Sequence, residues 1–159
     1  MHPRATELIR IFDLKPHPEG GYFRELFRSP AAVRPADGRG DRPALTSIYF
    51  LLAAGEVSRW HRLASDEVWH HYEGDPLELF LLDGDRLERR RLGPAGPDSA
   101  PVTAIPAGRW QAARPAGTFA LAGCSVGPGF DFADFRLMAH DPAAVDALRR
   151  RFPDLAALL

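Results

Sequence analysis

Glycine and proline cut this chain into short pieces. Among its 159 residues are 14 glycines and 15 prolines, and between their clusters lie brief apolar or alternating runs at residues 22–28, 45–54, 77–82, 86–92, 102–105, 110–113, 118–126 and 130–138. Short runs recurring between turn residues are the pattern of an antiparallel barrel or jelly roll, since each run suits one strand and each Gly/Pro cluster one reversal. The longest uninterrupted apolar stretch, 48–54, falls far short of the roughly 20 residues a membrane helix needs.

Both ends read as helix. Leu8, Ile9 and Phe12 recur at helical spacing over residues 6–13 with Thr6 as the expected N-cap, and Asp141 followed by Pro142 opens a second helix whose stripe is Val145, Leu148 and Phe152. Residues 22–28 alternate, which places Tyr22, Arg24, Leu26 and Arg28 on one strand face and Phe23, Glu25 and Phe27 on the other. Residues 45–54 are apolar on both faces, so something must cover the outer side. Asp83-Gly84-Asp85 is a hairpin signal, and residues 30–43 are expected to be a mobile loop. No internal repeat is visible, so one domain spans 1–159 with its barrel at about 20–140.

Charge excludes some partners. A net charge of −1 and a pI near 6.6 provide no field to gather phosphates, so nucleic acid is not expected. The arginine triplets 89–91 and 149–151 read as solvated faces. The first residues lack a signal-peptide run, giving the expectation of a cytoplasmic protein with no membrane partner. Cys124, the one cysteine, reads as a small buried core residue.

The chemistry is concentrated in residues 55–74, GEVSRWHRLASDEVWHHYEG. Gly55, His61, Leu63, Glu67 and Gly74 are spaced in a way that resembles the first motif of the cupin superfamily, G-x5-H-x-H-x3-4-E-x6-G, with Leu63 where the second histidine belongs. Pro106, Gly108 and Gln111 resemble the second motif, P-x-G-x-x-H, with Gln111 in place of its histidine. The runs HPEGGYFRE (17–25), WHRLASDEVWHHYEGDPL (60–77), PAGRWQAARP (106–115) and GCSVGPGFDFADF (123–135) together resemble one cupin subfamily of uncharacterised function, related to the dTDP-sugar 3,5-epimerase-like cupins. That resemblance implies an all-β, antiparallel cupin-type jelly-roll barrel with short terminal helices and a pocket in its mouth. It also implies a homodimer, and no particular reaction.

A metallocupin would use the positions of His61, Leu63, Glu67 and Gln111. Leu63 has no donor atom and a neutral amide is a poor substitute for imidazole, so no tightly held metal cofactor is expected; a weakly bound divalent ion would have only His61, Glu67 and Gln111. The same residues suit a metal-free polar and aromatic pocket for a small molecule. In that reading His61 is a general base, with Glu67 orienting it and raising its pKa. Tyr22, Arg24, Trp69, His71 and Gln111 are the expected substrate-binding residues, with Arg24 holding an anionic group. Alternation puts Trp69 and His71 on the face of Glu67 and turns Val68, His70 and Tyr72 away. Three readings remain open: an epimerase or isomerase acting next to a carbonyl, with Tyr22, Tyr49 or Tyr72 as the acid; a non-catalytic module binding a small metabolite; and a metallocupin with a degenerate site.

Overall fold

Short strands satisfy their backbone groups only beside other strands, and here they assemble into two antiparallel sheets. The computed structural model describes the whole chain, Met1–Leu159. In order come α1 (Pro3–Ile11), β1 (Lys15–Pro16), β2 (Tyr22–Arg28), β3 (Ala32–Val33), β4 (Arg42–Pro43), β5 (Thr46–Ala53), β6 (Ser58–Leu63) and β7 (Asp66–Gly74). After them follow β8 (Leu77–Asp83), β9 (Arg86–Leu92), β10 (Val102–Ile105), β11 (Trp110–Pro115), β12 (Phe119–Gly127), β13 (Phe135–Leu137) and α2 (Pro142–Arg151). One sheet has the order β1-β2-β5-β12-β7-β10, the other β13-β6-β11-β8-β9, and β3 pairs with β4. No helix is long and apolar enough to cross a membrane.

The inner faces meet over Phe50, Leu52, Trp69, Leu79, Leu81 and Ile105, with the small Ala113, Ala120, Ala122 and Cys124 filling between them. Both outer faces are apolar as well, and the terminal segments cover them. Helix α1 lays Ala5 and Leu8 on Leu51, Phe119 and Leu121 of the six-stranded sheet, and Arg4 fastens it by donating to both carboxylate oxygens of Glu73 at 2.6 and 3.0 Å. On the five-stranded sheet, Leu148 of α2 packs with Trp60, Phe80, Met138 and Leu155. The Trp60 indole N–H donates to the Leu155 carbonyl at 3.1 Å, which pins the last turn.

The two-sided apolar character of residues 45–54 is thus explained within the chain. Leu51 faces α1 while Phe50 and Leu52 face the interior. Cover is incomplete: on the same outer face Phe27, Tyr72 and Val102 are 49, 50 and 47% exposed.

Three local expectations change. Helix α1 begins earlier than residue 6, because Pro3 takes the first position and His2 Nδ1 caps it, accepting from Arg4 N at 3.2 Å. Residues 130–138 are not one strand. Asp131 caps a 3-10 turn, Phe132–Asp134, by accepting from Ala133 N, and only Phe135–Leu137 pairs. Finally, the 30–43 segment is tied down: Arg42 donates to both oxygens of Asp134 at 2.8 Å, a bidentate pair stronger than a single contact.

Asp141 does cap α2, accepting from Ala144 N at 3.1 Å, and the β8–β9 hairpin turns at Gly84 with φ +56°. Since Leu148 is fully buried in the only layer covering that sheet face, Leu148→Ala is expected to lower unfolding free energy by about 2–5 kcal/mol. Urea denaturation measures it, and a loss well under 1 kcal/mol would mean that α2 is not part of the cooperative unit.

Candidate active site

The chain changes sheets inside its densest stretch. β6 belongs to the five-stranded sheet and β7 to the six-stranded one, so His61 and Glu67 approach from facing layers although six residues apart. Gln111 lies beside His61 as its direct β11–β6 partner. Its amide N–H donates to Glu67 Oε2 at 2.7 Å, across the sandwich. His61, Glu67 and Gln111 are 2, 6 and 2% exposed, and they do converge in the interior.

A fourth and fifth participant come from the link between β1 and β2. His17 and Glu19 precede Gly20 and Gly21, whose φ of +110 and +68° suit only glycine. A Cβ on Gly20 would also collide with the Val57 carbonyl. This tight turn drives Glu19 into the end of the barrel, where it is 6% exposed. Ser58 Oγ donates to Glu19 Oε1 at 2.7 Å, and Glu19 Oε2 lies 3.4 Å from His61 Nε2 and 3.6 Å from His17 Nδ1.

These groups close one end of a cavity of about 220 Å³. Phe23, Phe50, Phe130 and Phe132 form aromatic walls, with Ile48, Leu63 and Val126 between them. Arg28 is the one lysine or arginine in the lining, and it is not free. It donates to both oxygens of Glu25 at 3.0 and 2.7 Å and to the Phe130 carbonyl at 3.1 Å. Cys124 lines the cavity too, its thiol pushed well up by burial first and then by the nearby Glu67 and Glu19 carboxyls, which leaves it a poor nucleophile.

Protons can be placed by elimination. His61 Nδ1 is 2.7 Å from the Arg59 carbonyl, which can only accept, so Nδ1 carries a hydrogen and Nε2 is the titrating atom. Burial pushes the His61 pKa down, against the opposing pull of Glu67 and the Arg59 carbonyl. Burial pushes Glu19 up, against His17 and Ser58. Both shifts favour a neutral pair, with the proton on Glu19 and a lone pair on His61 Nε2. Glu67 is raised as well, by burial first and also by Glu19, while His61 and Gln111 oppose the shift. His17 is lowered by burial, with Glu19 opposing. The result is an acid and a base side by side in a buried, aromatic-walled cavity.

Several sequence expectations are corrected here. The group in contact with the titrating nitrogen of His61 is Glu19, and burial lowers the His61 pKa where a raised value was expected. Tyr22 and Arg24 face outward. The β2–β5 register sets them opposite Leu51 and Tyr49, Tyr22 packs in the α1 layer, and Arg24 donates to the Phe12 carbonyl. A bulge between Glu25 and Phe27 then reverses the alternation, which brings Arg28 into the cavity in place of Arg24. Trp69 lies in the apolar core. His71 shares the inward register of Trp69, but its Nε2 lies 3.3 Å from the Asp75 carbonyl, away from the cavity lining. No tyrosine lines the cavity; Tyr49 and Tyr72 stand edge to face outside it, 6.0 Å apart.

The residues do not fit a transition-metal centre. Leu63 lines the cavity with no donor, Gln111 directs its N–H at Glu67, and no three His, Cys, Asp or Glu side chains are arranged to hold a metal ion. Within the set expected for a weakly bound divalent ion, His61, Glu67 and Gln111, the glutamine turns its amide nitrogen toward Glu67. His17 and Glu19 were missed as site residues because their sequence context, HPEGG, reads as a turn; its paired glycines were the available signal.

The raised pKa of Glu67 has a stability consequence. The folded state holds this proton more tightly than the unfolded chain, so the contribution is present below the ordinary value of 4.5 and is lost as pH rises through the folded pKa. Glu67→Gln is accordingly expected to gain stability relative to wild type as pH rises from about 4 to about 8. Urea unfolding at several pH values tests this, and a difference independent of pH would show that Glu67 ionises normally.

With the geometry established, relatives can be compared. A hypothetical protein of Leishmania major is 30% identical, with a TM-score of 0.82 over 97% of this chain and 96% of that one. A protein of Shewanella oneidensis is 34% identical, also with a TM-score of 0.82, over 97% and 93% of the two chains. Oxalate decarboxylase of Bacillus subtilis shares the fold at 17% identity, with a TM-score of 0.59 over 93% of this chain and 37% of that one. No curated protein matches the chain in sequence. Residues 6–138 match Cupin_5, described as cupin superfamily (DUF985), and the chain belongs to that family.

Proposed function

We propose that the cavity binds a small, uncharged carbonyl compound and shifts a proton on the carbon beside the carbonyl, an isomerase-type reaction. The observation that carries this reading is the contact between Glu19 Oε2 and His61 Nε2 at 3.4 Å inside an aromatic cavity. Glu19 donates its proton to the carbonyl oxygen while Nε2 takes one from the adjacent carbon, and the C–H electron pair becomes the enol double bond. The resulting carboxylate and imidazolium face each other at low dielectric, which offsets the cost of creating them. His61 then gives its proton to the former carbonyl carbon while the Glu19 carboxylate takes the proton of the hydroxyl on the adjacent carbon, which becomes the new carbonyl, and both side chains return to their starting states. One acid–base pair suffices, consistent with a cavity that has no tyrosine on a second side. Glu67, held by Gln111, is suited to hydrogen-bond a second oxygen of the ligand.

An uncharged ligand follows from the lining. Arg28 is neutralised by Glu25, and the remaining titratable side chains are carboxyls, imidazoles and a thiol. An anion would meet no free cation there. Deuterium incorporation from D₂O into dihydroxyacetone and similar small hydroxy-ketones, followed by NMR, tests the reaction. Wild type is expected to catalyse exchange, with His61→Ala and Glu19→Gln each slower by about 100-fold or more. Saturable binding without exchange would replace this reading with the non-catalytic binding module.

We also propose that two copies pair through the outer face of the six-stranded sheet. Phe27, Tyr72 and Val102 support it, because each stays about half exposed where α1 does not reach, and large apolar side chains left exposed on one sheet face favour a partner. Light scattering is expected to give twice the 17.6 kDa chain mass, and Tyr72→Arg with Val102→Arg to give the monomer. A monomeric wild type at micromolar concentration would overturn it.

A further inference from the structure

We infer that a second cleft, bordering the cavity at Leu63, is a binding site for a phosphate group, held by Arg62 and Arg136. The inference is independent of the proton-transfer reading. The cleft measures about 390 Å³, and Arg39, Arg62 and Arg136 line it together with Asp37 and Asp134.

The register of β6 and β13 sets Arg62 directly opposite Arg136. Residues so paired have Cβ atoms about 4.5–5.5 Å apart, and like charges there repel. In most proteins a carboxylate relieves such a pair. Here the nearby carboxylates are already engaged. Asp134 accepts from Arg42 twice and from Arg39 at 3.2 Å, which holds its carboxyl below the usual range. Asp37 lies 3.2 Å from Arg39 Nε and accepts from the Arg39 backbone N–H at 3.3 Å. Counting Arg42 and Asp131 behind the wall, four guanidiniums face three carboxylates.

The two opposed arginines are also held in place. The Arg62 guanidinium lies over the Trp110 ring, 4.5 Å from its centroid. Arg136 spends one terminal nitrogen, Nη1, on the Ala133 and Phe135 carbonyls at 3.0 and 2.9 Å, leaving Nε and Nη2 as donors. Stacked and anchored guanidiniums lose little entropy on binding an anion. Arg39, paired through Nε with Asp37 and through Nη1 with Asp134 on a side chain only 13% exposed, adds a fixed positive charge at the cleft wall. A tetrahedral phosphate, offering acceptor oxygens in several directions, can bridge both strands where a planar carboxylate reaches one guanidinium well.

The site also touches the first cavity. Within the 3-10 turn Phe132–Asp134, Phe132 lines the cavity whereas Ala133 and Asp134 line the cleft. A phosphate bound between Arg62 and Arg136 would brace the same turn from behind.

Titration calorimetry at fixed ionic strength, with inorganic phosphate, glycerol phosphate and acetate as separate probes, tests the inference. Saturable binding of phosphate with acetate at least about tenfold weaker is expected. Arg62→Gln and Arg136→Gln should each weaken phosphate about tenfold and together remove it, while Arg24→Gln, on the opposite sheet, should leave it unchanged. Tighter binding of glycerol phosphate would identify an organic phosphate as the ligand, and equal binding the free anion. Failure of phosphate to saturate, or undiminished binding in the double variant, would overturn the assignment, whatever the exchange experiment shows for the cavity.

Discussion

Ionising a single group buried inside a β-sandwich is costly, and Glu19, His61 and Glu67 are placed where that cost governs their behaviour. Each is supported by few hydrogen bonds: Ser58 for Glu19, the Arg59 carbonyl for His61, Gln111 for Glu67. Such support is enough to orient the groups and too little to hold three charges. Burial therefore prevails, moving both carboxyls up and the imidazole down. A proton can pass between Glu19 and His61 without any net charge entering or leaving the site, and this makes the arrangement suited to proton transfer.

The layers around it explain why the site is buried. Each sheet is apolar on both faces, so the interior alone could not cover it, and α1 and α2 seal the outer faces with Leu8 and Leu148. What remains open is an end of the sandwich. There the Gly20-Gly21 turn, the 3-10 turn at Phe132–Asp134 and the bulged end of β2 supply the cavity walls. Loops and bulges at the rim of a rigid barrel can vary without unfolding it, which is where binding groups are commonly placed.

Residues 55–74 were informative because a change of sheet is encoded locally. Between Leu63 and Asp66 the chain leaves one sheet for the other, and this brings His61 and Glu67 to one cavity over a short span. Gln111 was legible too, through its turn at Pro106 and Gly108. His17 and Glu19 were not, since nothing in a turn sequence says how deep its side chains reach. The outward placement of Tyr22 and Arg24 was readable from alternation alone only up to the face they share. Which face looks inward depends on the neighbouring strand.

By itself the sequence determined the strand-rich architecture, the hairpin at Gly84 and the cap at Asp141, because these rest on local backbone preference and short-range periodicity, while the motif pair pointed to the cupins through its resemblance to that family. Only the tertiary structure decided that Arg28 replaces Arg24 in the cavity, that Glu19 and not Glu67 meets His61 Nε2, and that α1 covers Leu51. The first follows from register, since a single extra residue in a strand turns every later side chain to the other face; the other two follow from how deep a turn reaches and where a terminal helix docks. Periodicity specifies the two faces of a strand, but the packing of one sheet against another selects which of them is the inside.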